Sequence, residues 1–272
     1  MHAWRSAASI ARFKATYPGR PVVLQLSGTD INEYLDSDPV PTLRSMELAD
    51  CLVALNERAR RAVPKHLHSR LRVIHQSASP LAQPRHPSAR AVVISVIGHL
   101  RDVKDPLRAA AASRLLPPAS RVKIDQIGRA YTSTWAALAE SEMKSNPRYR
   151  WHGDVSAASV RRLLARSHAM VISSRSEGGA NVISEAAVAG VPILASRMDG
   201  NVGLLGADYP GYFPVGNTIA LANLMQRVEN DPDFVSRLER AVTGRAPLFA
   251  LSLEINAWRD LLTDLKAKDL NR

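Results

Sequence analysis

Short apolar runs of β character alternate with helical stretches along almost the whole chain, and this alternation constrains the fold more than any other feature. Neighbouring parallel strands need a crossover of about a dozen residues, which a helix supplies, so strand-helix-strand repetition predicts parallel sheets wrapped by helices. The first part reads as a helix over 3–16, a strand over 22–26, a turn at Gly28, Thr29 and Asp30, a helix over 41–49, a strand over 51–55, a short helix from Glu57 and a strand over 72–75. Segment 76–90 (QSASPLAQPRHPSAR) has no apolar period and reads as a linker.

A second unit opens with AVVISVIGHL (91–100) and continues with strands over 121–125, 149–152, 170–173, 192–196 and 211–215. Helices are expected between them at 106–116, 130–145, 156–167, 181–189, 218–230 and 232–243. Six strands with intervening helices suit a complete Rossmann-like domain. From 248 to 268, Leu251, Ile255, Trp258, Leu261, Leu262 and Leu265 recur at helical spacing and predict an amphipathic helix packed on the rest. The expected division is 1–80, 81–247 and 248–272. The first unit offers only three strands and opens in a helix, without a leading strand and glycine-rich turn, so it reads as incomplete at its N-terminus.

Composition narrows the function classes. With 46% hydrophobic residues a sizeable core is available, and no apolar run is long enough to span a bilayer, so integral membrane association is not expected. A single cysteine, Cys51, excludes an intrachain disulfide and a cysteine zinc cage, and fits a cytoplasmic protein. The net charge of +11 raises a nucleic-acid reading. The arginines, however, are dispersed and no aromatic residues interleave with a basic cluster, which favours a small phosphorylated ligand over nucleic acid. Asp36-Ser37-Asp38 and Asp231-Pro232-Asp233 follow no strand and read as turns or helix caps; His66 and His68 lack a third ligand. Neither metal nor cofactor is expected.

The chemistry concentrates in AMVISSRSEGGANVISEAAVAGVPILAS, a strand, a polar loop, a helix and a strand. Gly178 and Gly179 admit close backbone approach, and the first turn from Ala180, Asn181 and Val182 offers N–H groups and a helix dipole to an anion. A carboxylate beside bound phosphate repels it unless it reaches hydroxyls, and a vicinal diol donates two hydrogen bonds to one carboxylate. Glu177 and Glu185 are therefore candidates for sugar and ribose hydroxyls, against the alternative of solvated helix residues. The apolar neighbours Ala186, Ala187, Val188 and Ala189 argue for a buried helix, on which Glu185 needs a partner.

Glu177 and Glu185, with seven residues between them in EGGANVISEAAVAGVPILAS, resemble the donor signature of retaining-type GT-B glycosyltransferases. The resemblance implies Glu177 near the donor sugar, Ala180, Asn181 and Val182 on the diphosphate, and Glu185 on the ribose. It also implies that the loop after Gly98 carries an arginine and a lysine for the leaving diphosphate. Lys104 has the expected spacing, while His99 occupies the usual arginine position and Arg101 can substitute. Solvated loop cations are the alternative. The loops at 125–129 and 153–155 can line the nucleotide pocket, and 200–206 can close over the donor. On the acceptor side, Gly28, Thr29 and Asp30 follow a strand, with Asp30 either a helix cap or an acceptor group, and His2 and Arg5 form a second polar group.

HAWRSAASIARF, LSGTDINEYL, RSMELADCLVALNERA, VIHQSASP, VIGHLRDVKDP, YRWHGDV and the Glu177–Glu185 segment, taken in order, resemble the selenosugar synthases of selenoneine biosynthesis. That family joins selenophosphate to the anomeric carbon of a UDP-sugar and releases UDP. The expectation is an α/β, GT-B-like fold of two Rossmann-like doubly wound domains across a cleft. The expected activity is metal-independent hexosyl transfer from a UDP-sugar to a small anionic acceptor. A nucleotide-sugar binder without turnover and a glycosyltransferase with a sugar acceptor are the alternatives.

Overall fold

In the computed structural model, which describes residues 2–270, the first elements are α1 (Ala7–Thr16), β1 (Val23–Gln25), a π-helical turn (Asp30–Tyr34) running into α2 (Leu35–Ser37), α3 (Pro39–Leu48), β2 (Cys51–Ala54) and β3 (Leu71–Val73). The alternation then continues through β4 (Val92–Ile97), α4 (Arg108–Ser113), β5 (Val122–Ile127), α5 (Ser133–Ser145), β6 (Tyr149–Trp151), α6 (Ala157–Arg166) and β7 (Ala169–Ile172). It closes with α7 (Asn181–Val188), β8 (Ile193–Ser196), α8 (Asp199–Leu205), β9 (Tyr212–Phe213), α9 (Thr218–Asn230), α10 (Pro232–Arg245) and α11 (Leu251–Leu270).

Two parallel sheets result. The first has the order β1-β2-β3 and the second β6-β5-β4-β7-β8-β9. Strands flanked by helices on both faces are apolar throughout, and β2, β7 and β8 are buried at every position. In the second sheet the order reverses between β4 and β7. Ligand crevices open at such a reversal, beyond the carboxyl ends of the strands.

Ile94, Ile124, Leu194, Phe213, Phe234 and Phe249 belong to the large core around the second sheet. The first sheet has a smaller one around Ile10, Leu24, Met46, Leu52 and Leu67. The chain end crosses back: Leu261 and Leu265 of α11 pack with Cys51, Val53 and Ile74 of the first unit. Leu251, Ile255 and Leu262 are exposed instead of packed. At helical spacing they occupy the opposite edge of the same apolar stripe, and the first sheet covers only the edge that carries Ala257, Trp258, Leu261 and Leu265.

Segment 76–90 has no helix or strand, yet it is anchored. Arg85 donates to Ser167 O and pairs with Glu239, both at 3.0 Å. Two loop expectations are corrected. Gly28, Thr29 and Asp30 do not form a turn but open a helical segment. Likewise 200–206 is no closing loop, because Asp199–Leu205 is a helix with a buried interior. Its glycines hid this from a propensity argument, since packing overrides their low helix preference.

Candidate active site

The loops after β4 and β7 meet at the strand reversal. Ser173 Oγ donates to Asp105 O at 2.9 Å and to Lys104 O at 3.2 Å, tying the two loops together. Glu177 follows in the β7 loop and is 9% exposed. Its Oε1 accepts from Ser174 Oγ at 2.6 Å and forms an ion pair with Lys104 Nζ. Oε2 has no hydrogen-bond partner among the described residues. One oxygen is thus anchored and charge-compensated while the other remains available to a ligand hydroxyl.

Immediately beyond, α7 begins at Asn181. Ala180 is extended, and no side chain caps the helix start, so the first N–H groups and the dipole are offered to an anion. The helix stops because Gly190 adopts φ +67°, the left-handed conformation that ends helices. Glu185 lies one turn into α7, half-buried, with Asn181 Nδ2 donating to it at 3.1 Å. Burial raises its carboxyl above the ordinary value, opposed by the positive charge of Arg161. Glu185 and Arg161 line a cleft of about 380 Å³ together with Ser77, Ser79, Ile97 and Val160.

On the β4 side, a Cβ placed on Gly98 would meet open space, so its backbone is approachable. Arg101 does not join Lys104 at Glu177. Its guanidinium sits 5.6 Å from the Tyr131 ring centre, with Arg129 at 5.5 Å from the same ring, and its buried Nε has no partner among the described residues. His99, at the position where the resemblance would place an arginine, accepts the Arg129 N–H at 3.1 Å.

The acceptor-side candidates form one network. Ser27 Oγ accepts from Asp30 N at 3.2 Å, and Asp30 Oδ2 accepts from Ser27 N at 2.9 Å, a reciprocal capping box at the start of the helical segment. Asp30 is fully buried, and its Oδ1 also accepts from Trp4 N at 3.0 Å and contacts His2 Nδ1 at 2.7 Å. The helix-cap alternative for Asp30 is therefore realised. His2 Nε2 lies 3.0 Å from both Ser27 Oγ and Thr29 Oγ1. Burial lowers the His2 pKa, more than the neighbouring Asp30 raises it. Arg5 is exposed nearby, and Gly28 touches Gly178 across the seam between the units.

Three residues at the site carry no signal in the sequence. Ser174 anchors Glu177 from within its own loop. Asn32 and Asn56, from the first unit, donate to Glu177 O and Gly178 O. Asn56 can be read locally only as a cap, and it does accept the Arg58 N–H at 2.9 Å. Its second bond spans 122 positions and is invisible to any local pattern.

Of the two aspartate pairs, Asp231 caps α10 by accepting from Phe234 N, and Asp38 accepts from Trp4 Nε1 at 2.8 Å. Among the described residues no three carboxylates, histidines or cysteines converge as a metal site. A hollow of about 590 Å³ lies against β5 and β6 near Lys123, Asp125, Arg150 and Arg166. Asp125 there is already paired with His152 and Arg166. The convergence of polar groups at the strand reversal outweighs that volume as a marker of chemistry.

A family model described as glycosyl transferases group 1 matches residues 82–245, more than half of the chain. Among solved structures, Anabaena Alr3699/HepE in complex with UDP and glucose superposes with TM-score 0.79 at 16% identity, covering 96% of this chain and 76% of that one. Sucrose-phosphate synthase from Thermosynechococcus elongatus gives TM-score 0.78 at 16% identity, covering 98% and 73%. A point mutant of S. aureus TarM, in complex with fondaparinux, alpha-GlcNAc-glycerol and UDP, gives 0.69 at 15% identity, covering 89% and 50%. At these identities the likeness is one of fold. No curated protein matches the chain significantly.

Proposed function

The chain belongs to the glycosyl transferases group 1 family, and we propose that it transfers a hexosyl group from a UDP-sugar to a small anionic nucleophile, selenophosphate. Its fold is α/β and GT-B-like, with parallel sheets in two Rossmann-like domains. The observation that carries the proposal is the Lys104–Glu177–Ser174 cluster at the strand reversal, set directly before the uncapped start of α7.

In this reading the amides of Ala180, Asn181 and Val182 hold the diphosphate, with Gly178 and Gly179 leaving room for it. Glu185 accepts the ribose hydroxyls, and the available Oε2 of Glu177 accepts a hydroxyl of the sugar. The raised carboxyl of Glu185 suits this role, because a diol supplies the hydrogen bonds that a half-buried carboxylate needs. Selenium of the acceptor forms the bond to the anomeric carbon as the carbon–oxygen bond to UDP breaks, and UDP leaves with the electron pair. Lys104, with Arg101 swinging in from Tyr131 past Gly98, stabilises the negative charge growing on the diphosphate. These cations and the helix dipole do the work of a metal ion. Across the seam, His2, Arg5, Gly28 and Thr29 flank the acceptor, while Asp30 orients His2. The structures of Alr3699/HepE with UDP and with UDP-glucose support the donor class.

Calorimetry with UDP on the wild type and on Glu185→Ala tests the donor site. The expected result is a loss of about tenfold or more in affinity, the size of a charged hydrogen-bond pair. Equal affinity in both proteins, or none in either, sinks the reading. Mass spectrometry of products formed from UDP-sugars and selenophosphate tests the acceptor, and formation of a phosphoseleno-sugar is the expected outcome.

A further inference from the structure

The turn that carries Glu177 is not held by the second unit alone. Asn56, buried just beyond β2, donates its side-chain amide to Gly178 O at 2.7 Å. Asn32 donates to the preceding carbonyl, Glu177 O, at 3.2 Å. Two consecutive carbonyls of one turn thus receive amide hydrogens from the first unit. Asn56 is itself fixed at its other end, where Oδ1 accepts the Arg58 N–H.

The surrounding glycines leave this clamp little slack. A Cβ on Gly28 would overlap Gly178 N, one on Gly200 would overlap Glu177 O, and one on Gly203 would overlap Asn56 Oδ1. A buried carbonyl deprived of its donor is unfavourable, so the turn would rotate in search of another. Rotation about 177–178 carries the Cβ of Glu177 with it and redirects the oxygen left available for a ligand. The ribose-reading residue has no such dependence: Glu185 is contacted by Asn181 of its own helix.

We infer that Asn56, assisted by Asn32, is a positioning residue that aims the Glu177 carboxylate at the donor sugar. The sugar-reading half of the donor site is thereby completed by the first unit, while the nucleotide-reading half, around Glu185, is built by the second unit with Ser77 and Ser79 of the connecting segment. The inference rests on the donor-site reading above, and it adds a specificity role for two residues outside the second unit.

The test is calorimetry with UDP and with whichever of UDP-glucose and UDP-N-acetylglucosamine the wild type binds more tightly. The readout is the ratio of the UDP to the UDP-sugar dissociation constant. Asn56→Asp keeps the shape and the Arg58 contact but sets an oxygen against Gly178 O. It should lower the ratio about tenfold, while UDP affinity stays within about twofold. Asn32→Ala, at an exposed position that does not threaten folding, should lower the ratio about threefold. In a Glu177→Gln background Asn56→Asp should add nothing further, since coupled residues are non-additive. The inference is overturned if both variants keep the ratio. It is equally overturned if they weaken UDP and UDP-sugar alike, or if the Asn56 effect persists in full without the Glu177 carboxylate. A wild type that binds neither ligand removes the donor reading and this inference together, an outcome distinct from the preceding ones.

Discussion

The two units are built from the same parts and hold together differently. The second has six parallel strands among the described residues, a continuous core and both halves of the strand reversal, so the segments that carry Lys104, Glu177 and Glu185 all leave one sheet. The first has three strands and a small core, and draws additional burial from α11, whose Leu261 and Leu265 cover Cys51 and Val53. Its polar residues are correspondingly busy with structure: Asp30 serves Ser27, Trp4 and His2 at once. The contrast teaches that a large sheet can leave one carboxylate oxygen open, as at Glu177 Oε2, whereas a small one uses its polar groups to hold itself and its neighbour.

That comparison can be broken most directly in the cores. Phe213→Ala in β9 should cost about 3–5 kcal/mol and Leu52→Ala in β2 about 2–5 kcal/mol, since both side chains are essentially fully buried. The informative difference is in binding. Phe213→Ala should remove UDP affinity together with the fold of the second unit. Leu52→Ala should lower the thermal midpoint while protein that is still folded keeps its UDP affinity. Loss of UDP affinity in the folded Leu52→Ala protein would show that the units do not divide as described.

A smaller effect is expected at Glu185. Burial raises its carboxyl, so the folded state favours the neutral form, and the associated stability is present at low pH and lost as pH rises through the raised value. Glu185→Gln, always neutral, should therefore melt above the wild type at pH 8 and alongside it at pH 4. Thermal melts without nucleotide at the two values check the sign; a destabilised Gln variant at pH 8 would mean that the carboxylate is satisfied within the protein.

The smallest effect should come from the exposed ion pairs across the seam. Asp199 contacts Arg58 at 2.9 Å and Arg61 at 3.2 Å, and is 52% exposed. Asp199→Asn should cost about 0.5 kcal/mol, vanishing at high salt. A larger, salt-resistant loss in chemical denaturation would move the weight of the seam from its buried asparagines to its surface.

Much of this was legible beforehand. All nine strands among the described residues were legible. β2, β7 and β8 read as apolar runs because a strand covered on both faces is apolar along its length, whereas β3 and β6 carry the exposed Arg72 and Arg150. The Glu177–Glu185 helix was legible because its start, its glycines and its stop are local features. The helical continuation beyond Gly28 and the helix over Asp199–Leu205 were not, since glycine-rich sequence reads as loop until packing is known. The exposed edge of α11 was hidden for a related reason: periodicity shows that a stripe exists but not how much of it meets a surface.

The parallel α/β architecture, the helix start after Gly178 and Gly179 and the two carboxylates that flank it are written in the sequence. These follow from periodicity, turn chemistry and spacing, which act over a few residues. Which groups stand against those carboxylates is set by the packing of distant segments. That packing alone paired Lys104 with Glu177 over 73 positions and drew Asn32 and Asn56 onto the Glu177–Gly178 turn. A hydrogen bond between distant segments depends on how two units close upon each other, and no local preference of either segment encodes that.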